Sequence, residues 1–87
     1  MAARFVYEGH GHRAEVVLRW GGLGRTVFLF DGRELEPVRQ RWFRWRVEAT
    51  TRDGDRAVAW VVETLPGSYG EVQARVWRDG RLVSGWG

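Results

Sequence analysis

Apolar and polar residues alternate with a period of two over much of this chain. In "HRAEVVLRW", Ala14, Val16, Leu18 and Trp20 fall on one side of an extended backbone, with Arg13, Glu15 and Arg19 on the other. In "RWFRWRVEA", Phe43, Trp45, Val47 and Ala49 share a face, and Trp42, Arg44, Arg46 and Glu48 take the opposite one. In "EVQARVWR", Val72, Ala74 and Val76 point inward, while Glu71, Gln73, Arg75 and Trp77 point outward. Side chains along a strand point alternately to its two faces, so this pattern predicts half-buried β-strands. "RTVFLFD" (25–31) and "AVAWVVE" (57–63) are almost wholly apolar and predict central strands, or strands covered on both faces.

Turn signals separate these segments: "GHG" (9–11), "GGLG" (21–24), "DG" (31–32), "RDGD" (52–55), "LPGSYG" (65–70) and "RDG" (78–80). Asp-Gly suits the positive φ that tight hairpins need. Evenly spaced turns between β-rich segments predict an all-β fold, a single antiparallel β-sandwich of about seven strands, with a small β-barrel as the alternative. A helix competes for one region. Leu35, Val38, Trp42 and Trp45 have helical spacing, but Phe43 and Val47 fall off that stripe and the residues are strand formers. Pro37 then marks an edge or bend before the long strand. Phe43, Trp45 and Val47 are expected in the core with Val16, Leu18, Val61 or Val62, Val72 and Val76.

Length makes residues 1–87 one domain with a modest core. There are no cysteines, which excludes disulfides and thiolate metal sites. No apolar signal-like stretch follows Met1 and no long apolar run appears, so a cytoplasmic protein is expected. All 14 basic residues are Arg, and Lys, Asn and Ile are absent. Their codons are A/T-rich, which points to a GC-rich, bacterial genome. The net charge of +3 is too small to imply a nucleic-acid partner by itself.

Candidate chemistry is sparse. Ser68 and Ser84 are the only hydroxyl nucleophiles of their type, and "PGSYG" lacks the Gly-X-Ser-X-Gly order of a nucleophile elbow. No base with an orienting third group is evident, so no enzyme is expected. Glu8, His10 and His12 in "EGHGH" are donors of the right kind for a metal, but flanking glycines and the lack of an identifiable supporting residue favour a plain hairpin. No cofactor is expected. "GGLGR" lacks the lysine and helix of a phosphate loop.

The outward row Trp42, Arg44 and Arg46, beside Arg75, Trp77 and Arg19, is the candidate binding surface. Aromatic rings interleaved with guanidinium groups suit single-stranded nucleic acid. Yet Glu48, Glu63 and Glu71 are spread through the same strands, where a phosphate groove would exclude them. The expectation is therefore a non-catalytic protein-interaction or assembly module, binding a protein partner or itself. A single-stranded nucleic-acid-binding barrel is the alternative.

Two stretches, "GRTVFLFDGRELEPVRQRWFRWRVE" and "PGSYGEVQARVWRDGRLV", resemble the β-sandwich domain of the Fas apoptotic inhibitory molecule family. The likeness lies in Arg25, Asp31-Gly32, Trp42-Phe43, Gly67, Tyr69 and Asp79-Gly80-Arg81-Leu82, and covers residues 12–83. The family's animal members carry two such domains where this chain has room for one, and the polar C-terminal strand and tail are reduced here to "LVSGWG". The resemblance implies an all-β sandwich with a cytosolic, non-enzymatic role. Family members are associated with cell-death regulation and with restraining aggregation, and the first role has no place in a bacterium.

Overall fold

A computed structural model describes residues 2–19, 26–37, 39–41, 44–66 and 72–86. These form two antiparallel sheets packed as a β-sandwich. β1 (Ala2–Gly9), β2 (His12–Arg19), β3 (Thr26–Phe30) and β4 (Arg33–Leu35) make a four-stranded sheet in that order. β5 (Arg39–Arg41), β6 (Arg44–Asp53), β7 (Arg56–Pro66), β8 (Val72–Arg78) and β9 (Arg81–Trp86) make a five-stranded sheet, also in chain order. Each sheet is a simple meander. The chain crosses between sheets once among the described strands, between β4 and β5, where Pro37 lies outside any strand as its sequence context predicts. No helix occurs among the described residues, and in the region where a helix competed residues 33–35, 39–41 and 44–46 are strand, while Val38 and Trp42 lie outside the described residues.

The strand count differs from the expected seven because of β4 and β5, each three residues long. They are edge strands too short to show a period. The apolar runs become interior strands, as expected: β3 lies between β2 and β4, and β7 is the centre of its sheet.

The core forms where the two inner faces meet. Ala14, Val16 and Leu18 of β2 and Phe28 and Phe30 of β3 oppose Val47 of β6, Val58, Trp60 and Val62 of β7, and Ala74 and Val76 of β8. Full burial of a Val, Leu or Phe side chain stabilises by roughly 1.5–3 kcal/mol, so this layer holds the sheets together. Val62 faces inward, while Val61 does not. Trp45 and Val72 pack against the core only half-buried, so Trp45 is not the central ring the alternation suggests. Trp60 is, at 1% exposure. Trp20 and Phe43 lie outside the described residues.

Tight hairpins connect the strands. Asp31-Gly32 and Asp79-Gly80 occupy two-residue turns in which both residues have positive φ (50° and 80°, 49° and 78°). This is the type I′ geometry that matches strand twist, and Asp followed by Gly tolerates it best. His10-Gly11 does the same between β1 and β2 (53° and 76°), so "EGHGH" is a hairpin turn.

Candidate functional site

Alternation along β6, β7 and β8 turns one set of side chains outward on the five-stranded sheet, and register decides which of them meet. Arg46 pairs with Glu63, and Glu63 with Arg75. One row further along, Glu48 pairs with Val61, Val61 with Trp77, and Trp77 with Leu82. Cross-strand partners share a face with Cβ atoms about 4.5–5.5 Å apart. The sheet therefore gathers Arg46, Arg75 and Trp77, three of the six sequence candidates, around Glu63 and Val61. Arg44 is exposed at the start of β6, opposite Arg41. Trp42 lies outside the described residues. Arg19 does not join this surface: it ends β2, in the other sheet. Alternation alone gave it an outward face without saying which sheet.

The rows are chemically mixed. Trp77 Nε1 donates to Glu63 Oε1 at 2.8 Å, and Arg46 lies 3.3 Å from Glu48. Of the glutamates that the sequence spreads through these strands, Glu48 and Glu63 stand among the arginines, and Glu71 lies outside the described residues. Arg46, Val61, Glu63, Trp77 and Gly80 line a hollow of about 300 Å³. At its edge stands Leu82, 53% exposed, the one large exposed hydrophobic residue among those described.

A second constellation was not foreseen. His12, at the start of β2, has carboxylates near both ring nitrogens. Nδ1 is 2.6 Å from Asp31 Oδ2, in its own sheet, and Nε2 is 3.9 Å from Asp53 Oδ1, at the end of β6 in the other sheet. Arg78 in turn bonds Asp53 and lies over the Trp60 ring, 5.7 Å from its centroid. The imidazole stacks on Phe30 at 5.7 Å and meets Trp60 edge-on at 5.5 Å. Trp60 Nε1 donates to Thr51 Oγ1 at 2.8 Å. Asp31 to His12 to Asp53 to Arg78 is thus a polar chain crossing from one sheet to the other over an aromatic floor.

The electrostatics of Asp31 follow. Burial pushes its carboxyl up, but hydrogen bonds from His12 and the Arg13 amide, with the His12 charge, outweigh this and hold it below the ordinary value. Chemically, the chain sets His12 between two carboxylates as a link between the sheets. The donors once considered for a metal diverge, since Glu8 turns to Arg13 at 3.2 Å while His12 turns to Asp31. Among the described residues no group of three or more His, Asp or Glu is placed to hold a metal ion. The sequence offered His12 as a metal donor and Asp31 as a turn residue, each by itself. Nothing in the sequence links residues 12, 31, 53 and 78, because strand register creates their proximity.

No helix among the described residues is long and apolar enough to cross a membrane. No protein-family model, curated protein or solved structure matches this chain.

Proposed function

We propose that this chain is a non-catalytic protein-interaction or assembly module of the bacterial cytosol, working through the outer face of its five-stranded sheet. The observation that carries this reading is the register that sets Arg46, Arg75 and Trp77 around an apolar patch of Val61 and exposed Leu82. Arg and Trp are the residues most often found at the energetic centres of protein interfaces. The His12 chain supports a structural role in place of a catalytic one. Both imidazole nitrogens face carboxylates of the fold and its rings pack on Phe30 and Trp60, leaving no free base aimed at a nucleophile. A sandwich frame in a non-enzymatic role is also what the likeness to the Fas apoptotic inhibitory molecule domain implies.

Single-stranded nucleic acid is the second reading, favoured by the arginines and the Trp77 ring. Against it, Glu63 stands between Arg46 and Arg75 and takes the Trp77 N–H, which interrupts a phosphate track. The test is Arg44→Ala with Arg46→Ala, followed by melting and sedimentation together with capture of protein and RNA from the source cell. The fold should persist, with a change of no more than about 0.5 kcal/mol from exposed Arg44 and a larger one from half-buried Arg46, which lies 3.3 Å from Glu48, while association weakens. Unchanged association would leave the face merely solvated. Loss of RNA binding, with a steep salt slope in the parent, would move the function to nucleic acid.

A further inference from the structure

The five-stranded sheet ends at β9, with no strand beyond it among those described. Natural edges are commonly blunted by charge, proline or a bulge. Here β9 has no proline; its devices are the charge of Arg81 at its first position and a bulge at Val83, which opposes no residue of β8, and no charge follows from Leu82 to Trp86. The long edge strand of the other meander, β1, is different. Its outward charges are matched: Arg4 lies 3.8 Å from Glu15, and Glu8 lies 3.2 Å from Arg13.

Gly85 gives the β9 edge its character. It sits opposite Arg75, and its backbone is not in the left-handed region that calls for glycine. A Cβ there would meet only ordinary contacts, Ala74 O and Arg75 Cγ, both at 4.0 Å. Neither conformation nor packing requires glycine, although glycine weakens a strand. Glycine inside a strand often marks the close approach of another backbone. Its effect here is to leave the Arg75 side chain uncovered toward the edge. A further strand would run about 4.8 Å beyond β9, hence about 9.6 Å from β8. An extended Arg and a Glu together span that gap, provided no side chain stands between them.

Charge selects the occupant. On this face Arg44, Arg46, Arg52 and Arg75 outnumber Glu48 and Glu63, Glu48 is matched by Arg46, and Glu63 is engaged by Trp77. Arg75 has Glu63 as its cross-strand neighbour, but among the described residues no carboxylate makes an ion pair with it. A second copy would bring the same arginine-bearing edge on a chain of net charge +3, so like charge opposes that pairing. We infer that β9 accepts an extended acidic segment of a partner protein as a sixth strand, its carboxylate passing over Gly85 to Arg75. An apolar residue two positions away would fall beside Leu82 and the Trp77 hollow. This rests on the reading of the outer face as an interaction surface and names what that surface binds.

The experiment uses two labelled eight-residue peptides and the full chain. One is Thr-Glu-Thr-Val-Thr-Glu-Thr-Val, which sets Glu and Val alternately on one face, and the other has Lys in place of Glu. Fluorescence anisotropy should show the Glu peptide binding at least tenfold more tightly than the Lys peptide. Gly85→Val should weaken it at least tenfold without lowering the melting temperature. Gly85→Ala, whose Cβ has room, keeps the test valid should valine disturb the fold, and should weaken binding to a smaller extent. Arg75→Ala should remove the preference for Glu over Lys. Equal binding of both peptides, no binding, or binding indifferent to both Gly85 variants overturns the inference. Absence of peptide binding together with self-association lost in the Arg44→Ala, Arg46→Ala variant overturns the acidic strand while leaving the interaction face standing. If that self-association is also abolished by Gly85→Val, a second copy is the occupant. Binding of oligo-deoxythymidine in preference to the Glu peptide overturns both readings.

Discussion

The two Asp-Gly turns are built alike and anchored differently. At Asp31-Gly32 the Asp31 N–H donates to Arg13 O, and Asp31 Oδ1 accepts from the Arg13 N–H, both at 2.8 Å. At Asp79-Gly80 the Asp79 N–H donates to Ala59 O at 2.7 Å, and Asp79 Oδ1 accepts from the Ala59 N–H at 2.8 Å. Each turn thereby pins an edge hairpin, β3–β4 or β8–β9, to the strand inside it. The difference lies in the second carboxylate oxygen. Asp31 Oδ2 meets His12, whose side chain is 19% exposed between Phe30 and Trp60, and Asp79 Oδ2 meets Arg56, which is 74% exposed. A shared local motif therefore has unequal weight, and burial of the partner sets it.

Trp60 breaks the comparison most severely, because it touches both sides of it. Its ring meets His12 of one clasp, and Arg78, next to Asp79, lies over it. Trp60→Ala should cost about 3–5 kcal/mol, a large share of the stability of a domain this size. The same change at half-buried Trp45 should cost less. Chemical denaturation of both variants checks the order, and the opposite ranking would show that the centre of the core is misplaced.

The partners themselves come next. His12→Ala removes a carboxylate-bound ring packed on two aromatics and should destabilise by roughly 1–3 kcal/mol. Arg56→Ala removes an exposed ion pair and should cost at most about 1 kcal/mol. Equal losses would mean that the two turns are alike in energy as well as in geometry.

These contrasts show what sequence can and cannot carry. Strict alternation around Val16, Val47 and Val76 identified the inward faces of β2, β6 and β8, because a period of two is visible when one face is wet. In "AVAWVVE" both faces are apolar, so the pattern could not say that Trp60 and Val62 point in and Val61 out. The Asp-Gly pairs announced hairpins, yet the partners of Asp31 and Asp79 lie 19 and 23 residues away along the chain, where only strand pairing brings them close. The arginine face was legible as a set of outward residues. Its arrangement was not, since register places Glu63 between Arg46 and Arg75, and sheet membership removes Arg19.

The smallest effect sharpens the comparison through the charge of one clasp. Asp31→Asn keeps the size of the side chain, its oxygen acceptor for the Arg13 N–H, and a residue type that tolerates a φ of 50°. What it removes is the negative charge beside His12, and with it the second oxygen, which meets the ring Nδ1 and becomes an amide NH2. The carboxylate is 43% exposed, so solvent screening limits the loss at neutral pH to less than about 1 kcal/mol. Its sign with pH is fixed. The folded-state pKa lies below the unfolded one, so the stabilisation is complete above the unfolded value, about pH 4. It is lost as pH falls through the lower, folded value. The parent should therefore exceed the variant in melting temperature at pH 6, and the two curves should converge in acid. Other charges face this imidazole: Asp53 with its partner Arg78 on the far side, and Glu8 and Arg13 lining the same cleft. They remain in the variant, so the clasp between the sheets persists and unfolding stays a single transition. A gap between parent and variant that is constant from pH 2 to pH 7 would show that Asp31 acts by shape alone and that its charge toward His12 adds nothing.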